Sequence, residues 1–141
     1  MVVNTWVADR PQVLDRTDWL ARLGAADRHC GTAAPHAGAR ALSRRLDLDA
    51  LRAYRGAVEE ATRAELGALG ASDLDESVPA SRLVRSAPDR TYANPGGRWM
   101  DEFWAERNRG WFLAFVNTHN AEHLIAEALT VRSLSGFPLG I

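Results

Sequence analysis

Three observations predict an all-α protein, a compact or shortened four-helix bundle. Apolar residues recur at the helical period of 3.6 in three long segments. Residues that start and stop helices stand at the edges of those segments. Alternation of the strand type is confined to one short run, Ser81-Arg82-Leu83-Val84-Arg85, too little to build a sheet without a covering face. Each amphipathic helix carries an apolar stripe that another helix must cover, so a bundle follows.

Taken in order, the first helix is predicted from Thr17 to about Cys30, on Trp19, Leu20, Leu23, Ala26 and Cys30, with Asp15 or Thr17 able to cap it. Gly31, Pro35 and Gly38 then break the pattern, and Ala39 to Leu46 reads as a short or irregular helix with an Arg-rich outer face. Asp47 or Asp49 caps a long helix whose stripe is Leu51, Tyr54, Val58, Ala61 or Thr62, Leu66 and Leu69, ending at Gly70. Ser72 to Glu76 looks like one capped turn. From Val78 to Gly97, three prolines and two glycines leave no sustained period, so a long ordered loop is expected before the final helices. The helical period returns at Trp99 and runs from about Arg109 to Ser135 along Phe112, Phe115 or Val116, His119, His123, Ala126 or Glu127, Thr130 and Leu134. Gly136 and Pro138 stop it.

With 141 residues, 46% of them hydrophobic and 25% charged, the chain has the balance of a single domain spanning residues 1–141. A net charge of -1 gives no electrostatic footprint for nucleic acid, and no apolar run is long enough to span a bilayer. The expected partners are a small-molecule ligand and a second copy, as a homodimer. A single cysteine, Cys30, and a start without a basic and apolar leader point to the cytoplasm.

Two of the four histidines, His119 and His123, sit four residues apart in the last helical pattern. Residues i and i+4 share a helix face, so both imidazoles could chelate one Zn²⁺, Fe²⁺ or Ni²⁺, or act as acid and base. In a bundle they are expected to point inward, where an imidazole must find a hydrogen-bond partner, take a metal or lose its charge.

The run Trp111 to His123, followed by Glu127 to Pro138, resembles the final helix of the DinB-like (DinB/YfiT) superfamily. The segment from Asp49 to Leu74, with its Arg-Ala-Tyr-Arg start and Leu-Gly-Ala-Ser-Asp-Leu-Asp end, is similar to that family's central helix and its exit. With the early helix, the resemblance covers residues 17–30, 49–75 and 111–138. It implies an up-down-down-up four-helix bundle, often dimeric, holding a divalent metal through three histidines. Known activities include thiol-dependent transfer and isomerisation with bacillithiol or mycothiol. The family's two late ligands carry over to His119 and His123. Its first ligand falls within Trp19 to Arg28 on Arg22, a guanidinium with no lone pair to donate. Ile125 stands where a glycine is common, and only a short stretch precedes the early helix.

These residues define an expected pocket inside the bundle. His119, His123, Arg22 and Glu127 are the candidate catalytic groups, with Arg22 paired to Glu122 or Glu127 or binding an anionic part of the ligand. Trp99, Trp104, Trp111 and His36 are candidate ligand contacts, the first two beside the Asn94-Pro95-Gly96-Gly97 turn. No cofactor is expected on two imidazoles alone; zinc, nickel or iron would need a further ligand, with His29, His36 or Glu127 in reach of the role. The corresponding functions are a transferase-, isomerase- or cyclase-like enzyme, a metal-free protein that sequesters a small molecule, or an interaction protein without an active site.

Overall fold

The computed structural model describes residues 2–26, 35–85 and 103–136. Within them lie helices α1 (Trp19–Leu23), α2 (His36–Arg45), α3 (Leu48–Gly67), α4 (Ala80–Arg85), α5 (Arg109–Glu122) and α6 (Leu129–Leu134). A π-helical stretch, His123–Ala128, joins α5 to α6 without a break, and another, Val2–Val7, opens the chain. Turns of 3₁₀ type stand at Val13–Asp15 and Ala71–Asp75. The described residues form an all-α helical bundle without a sheet; their one isolated bridge joins Ser77 to Asn108.

The long helix starts where local chemistry dictates. Asp47 Oδ1 accepts the amides of Asp49 and Ala50, both at 2.9 Å, satisfying two donors that a helix start leaves open. The buried face of α3 keeps Tyr54, Val58 and Ala61 of the predicted stripe, and Leu69 beyond the helix is partly buried as well, but two leucines of the stripe are left out. Ala61 is buried and Ala50, Tyr54, Ala57 and Val58 are partly buried, whereas Leu51 and Leu66 remain 38% and 41% exposed. Small side chains on this face admit the large ones opposite: Trp19 and Leu23 of α1, with Val13, fill the space, and Trp19 meets Tyr54 edge-on at 5.3 Å. The predicted stripe therefore holds at Tyr54, Val58 and Ala61 and misses at Leu51 and Leu66, while the small Ala50 and Ala57 join the packed face.

The second core is aromatic. Trp6, Val7, Val78, Leu83, Trp104 and Phe112 are buried together, with Phe103, Trp111 and Phe115 packed against them. Trp6 lies 5.0 Å from Trp104 and 5.3 Å from Phe112. The N-terminal π-turn plugs this core, and Arg82 clamps it by donating to the carbonyls of Trp6 and Val7 at 3.3 and 3.2 Å while approaching Asp9 at 3.5 Å.

Three predicted elements are corrected. The first helix stops at Leu23, because Gly24 turns left-handed (φ 69°) and its backbone abuts the Arg45 carbonyl, where a Cβ would come within 2.5 Å. The backbone also closes there, as Asp47 donates to the Leu23 carbonyl at 3.2 Å. Residues 27–30 of that predicted helix lie outside the described residues. The run from Ser81, expected as loop, is part of helix α4, which drops Leu83 into the aromatic core. Finally, α2 begins at His36 rather than near Ala39, behind Pro35 at its N-cap.

Candidate functional site

Asn108 caps α5 by accepting the Trp111 amide at 2.8 Å, and the backbone bonds Val78 to Arg107 (2.9 Å) and Arg109 to Glu76 (3.0 Å) fix the helix to the body. Gly110 permits the close fit, since a Cβ there would stand 3.2 Å from the Leu74 carbonyl. From this anchor a ladder of side chains climbs at four-residue intervals. The Arg107 guanidinium lies 4.8 Å over Trp111, Trp111 stacks on Phe115 (5.2 Å, 11°), and Phe115 stacks on His119 (5.1 Å, 17°). His119 meets His123 edge-on at 4.3 Å, and His123 Nδ1 reaches Glu127 Oε2 at 2.7 Å.

The ladder passes from core to solvent. Trp111 and Phe115 are partly buried, whereas His119, His123 and Glu127 are exposed. The expectation that the histidines face the interior is corrected here: they continue the line of Phe115, but beyond the body that covers it. The π-helical stretch begins at His123. Its wider winding brings residues four apart nearly into line, which suits the short His123 to Glu127 contact; such stretches recur at functional sites.

The Nε2 atoms of His119 and His123 stand 3.0 Å apart. One nitrogen must donate and the other accept. With Glu127 accepting the Nδ1 proton, neutral His123 carries its lone pair on Nε2, so His119 donates from Nε2 and keeps the lone pair on its own Nδ1. Carboxylate, imidazole and imidazole thus stand in one hydrogen-bonded line.

The same geometry bears on a metal. A tetrahedral Zn²⁺ with bonds of ~2.0 Å holds two nitrogens ~3.3 Å apart, close to the observed spacing, and a carboxylate behind a ligating histidine is the usual support. The pair fits two corners of a shell. No group of three or more His, Cys, Asp or Glu able to hold a metal occurs among the described residues.

The remaining candidates do not assemble with the pair. Arg22 was expected beside the histidines; it stands exposed on α1, its guanidinium 4.1 Å over the Trp19 ring, and α1 packs on α3. Trp104 was expected to line a cleft; it is 6% exposed within the aromatic core, with its indole Nε1 unpartnered. Trp111 belongs to the ladder below His119. His36 opens α2 and, with Ala37, Arg40 and Arg44 of the same helix, lines an open depression of about 520 Å³. Trp99, His29 and Cys30 lie outside the described residues. Phe115, which stacks on His119, is the site residue that the sequence reading passed over as core; its spacing of four from both Trp111 and His119 is the signal that identifies it.

In comparisons with protein families, curated proteins and solved structures, nothing matches the chain. Fold and site together describe an α-helical bundle carrying an imidazole pair where α5 passes into the π-helical stretch.

Proposed function

We propose that the chain is a small-molecule enzyme of acid–base type, working as a homodimer and moving a proton through His119 and His123. The observation that carries this reading is the hydrogen-bonded line from Glu127 through His123 to His119. A substrate proton is taken by His119 Nδ1; the Nε2 proton of His119 passes to His123 Nε2; and the resulting imidazolium rests against the Glu127 carboxylate. Reversal returns a proton to a different atom of the substrate, which is isomerisation, or to a leaving group, which is transfer. Phe115 holds the His119 ring by stacking, so the base is oriented before substrate arrives. The DinB-like resemblance supports the same two histidines as working groups.

The test is hydrolysis of an activated ester, p-nitrophenyl acetate, by the full chain against an equal concentration of imidazole. An oriented base should exceed imidazole by at least about tenfold, with His119→Ala removing the excess and Glu127→Ala most of it. A wild-type rate equal to that of imidazole defeats the proposal.

A second reading, in which the pair ligates a divalent ion, is favoured by the spacing of its nitrogens and the carboxylate behind His123. Elemental analysis of protein purified without chelator separates the two. One equivalent of zinc, nickel or iron lost in His123→Ala selects the metal. Sequestration is less well supported, because the depression beside His36 is open and lined from α2 alone.

A further inference from the structure

Two arginines of α3 are met by acid at helical spacing: Arg52 donates to Asp49, three residues before it, at 2.6 Å, and Arg63 to Glu59, four before it, at 2.7 Å. Helix α2 is built differently. The sequence from Gly31 to Leu46 holds His36, Arg40, Arg44 and Arg45 and no Asp or Glu. His36, Arg40 and Arg44 follow at intervals of four, so they stand in one column on α2, ~12 Å from end to end by the helical rise. Like charges at that spacing oppose each other, and among the described residues no carboxylate pairs with Arg40 or Arg44. None of the column is buried. Neither packing nor ion pairing among the described residues accounts for it.

The column also borders a concavity. His36, Ala37, Arg40 and Arg44 line the open depression of about 520 Å³, a volume within the range of small-molecule sites. Only Ala37, Gly38 and Ala39 stand between His36 and Arg40, and a Cβ added at Gly38 would meet nothing within 4 Å. No bulky side chain there competes for the space.

We propose that this face of α2 binds a small ligand bearing a diphosphate. Two guanidiniums one helical turn apart can each fork one phosphoryl group, and the imidazole adds an N–H donor at the end of the column. A bound anion replaces the repulsion between Arg40 and Arg44 with attraction of both to one partner. Nucleic acid fits less well, because Asp47 and Asp49 follow directly after Arg45 and the whole chain has a net charge of -1. An open site releases what it binds, so the ligand exchanges freely and is not sequestered. The inference stands apart from the acid–base reading, since none of its residues belongs to the line from Glu127 to His119.

The test is isothermal titration calorimetry of the full chain with inorganic pyrophosphate at low ionic strength. One equivalent should bind with a Kd below about 1 mM. Arg40→Ala and Arg44→Ala should each weaken binding at least about tenfold, and Arg40→Lys should restore only part of it, because an ammonium keeps the charge without the fork. Arg55→Ala, which removes an exposed arginine of α3, and His119→Ala should both bind as the wild type does. Absence of saturable binding overturns the site. An equal loss in Arg55→Ala also overturns it, by reducing the effect to overall charge. Binding of a single-stranded oligonucleotide at least about tenfold tighter than pyrophosphate overturns the small ligand in favour of nucleic acid.

Discussion

The Nε2 atoms of His119 and His123 are held 3.0 Å apart, within hydrogen-bond distance of each other. Glu127 stands 2.7 Å from His123 Nδ1, and a carboxylate there accepts the Nδ1 proton and leaves Nε2 of a neutral imidazole as an acceptor. Nitrogen-detected NMR of the imidazoles should show neutral His123 protonated at Nδ1 and neutral His119 at Nε2. In Glu127→Ala the bias at His123 should collapse to a mixture of tautomers. An unchanged His123 in that variant would remove Glu127 from the line.

Gly24 should resist replacement by any L residue. Its φ of 69° disfavours a side chain, and a Cβ would also stand 2.5 Å from the Arg45 carbonyl, a backbone atom that cannot swing aside. Gly24→Ala should cost about 2 kcal/mol or more in thermal or denaturant unfolding. Gly24→Asn, usually the milder choice at such an angle, should be no better, because the contact with Arg45 remains. Rescue by Asn would show that the angle alone matters.

The two capped helix starts should weaken by similar amounts. Asp47→Ala removes an acceptor for two amides and Asn108→Ala an acceptor for one, and each should cost about 1 kcal/mol in denaturant unfolding. Replacement by Ser should restore most of the loss at either position. Equal stability of the Ala and Ser variants would mean that these caps contribute nothing.

The aromatic core should dominate stability. Trp6 is fully buried against Trp104 and Phe112, so Trp6→Ala should cost about 3–5 kcal/mol and flatten the near-ultraviolet circular dichroism. Leu48→Ala, at a position 60% exposed, should stay within about 0.5 kcal/mol. A mild effect at Trp6 would contradict the packing described.

Tyr54 supplies a pH dependence at the alkaline end. Burial pushes its phenol above the ordinary value of 10.0, so the folded state keeps a proton that the unfolded state has lost. The stability due to the neutral phenol is present below pH 10 and declines as pH rises from there through the folded value. Tyr54→Phe should flatten this part of the stability profile measured by denaturant unfolding between pH 9 and 11, around the ordinary tyrosine value. A slope unaltered by the substitution would assign the loss to other groups.

What the sequence by itself determined is local. Asp47 as a cap, Gly136 as the left-handed stop (φ 74°) and the continuous helix through His119 and His123 follow from chemistry within a few residues, and the structure has each of them. The ladder from Trp111 to Glu127 was likewise written in spacings of four. Tertiary structure decided the rest. It left Leu51 and Leu66 off the packed face of α3 and put Ala50 and Ala57 on it beside Tyr54 and Val58, because Trp19 needed room; it ended α1 at Gly24, because the Arg45 carbonyl closes in; and it set Arg22 over Trp19 instead of beside the histidines. Above all, it left His119 and His123 outside the body. A helical period shows which residues share a face, whereas only the lengths and positions of the other elements determine how far along the helix that face is covered.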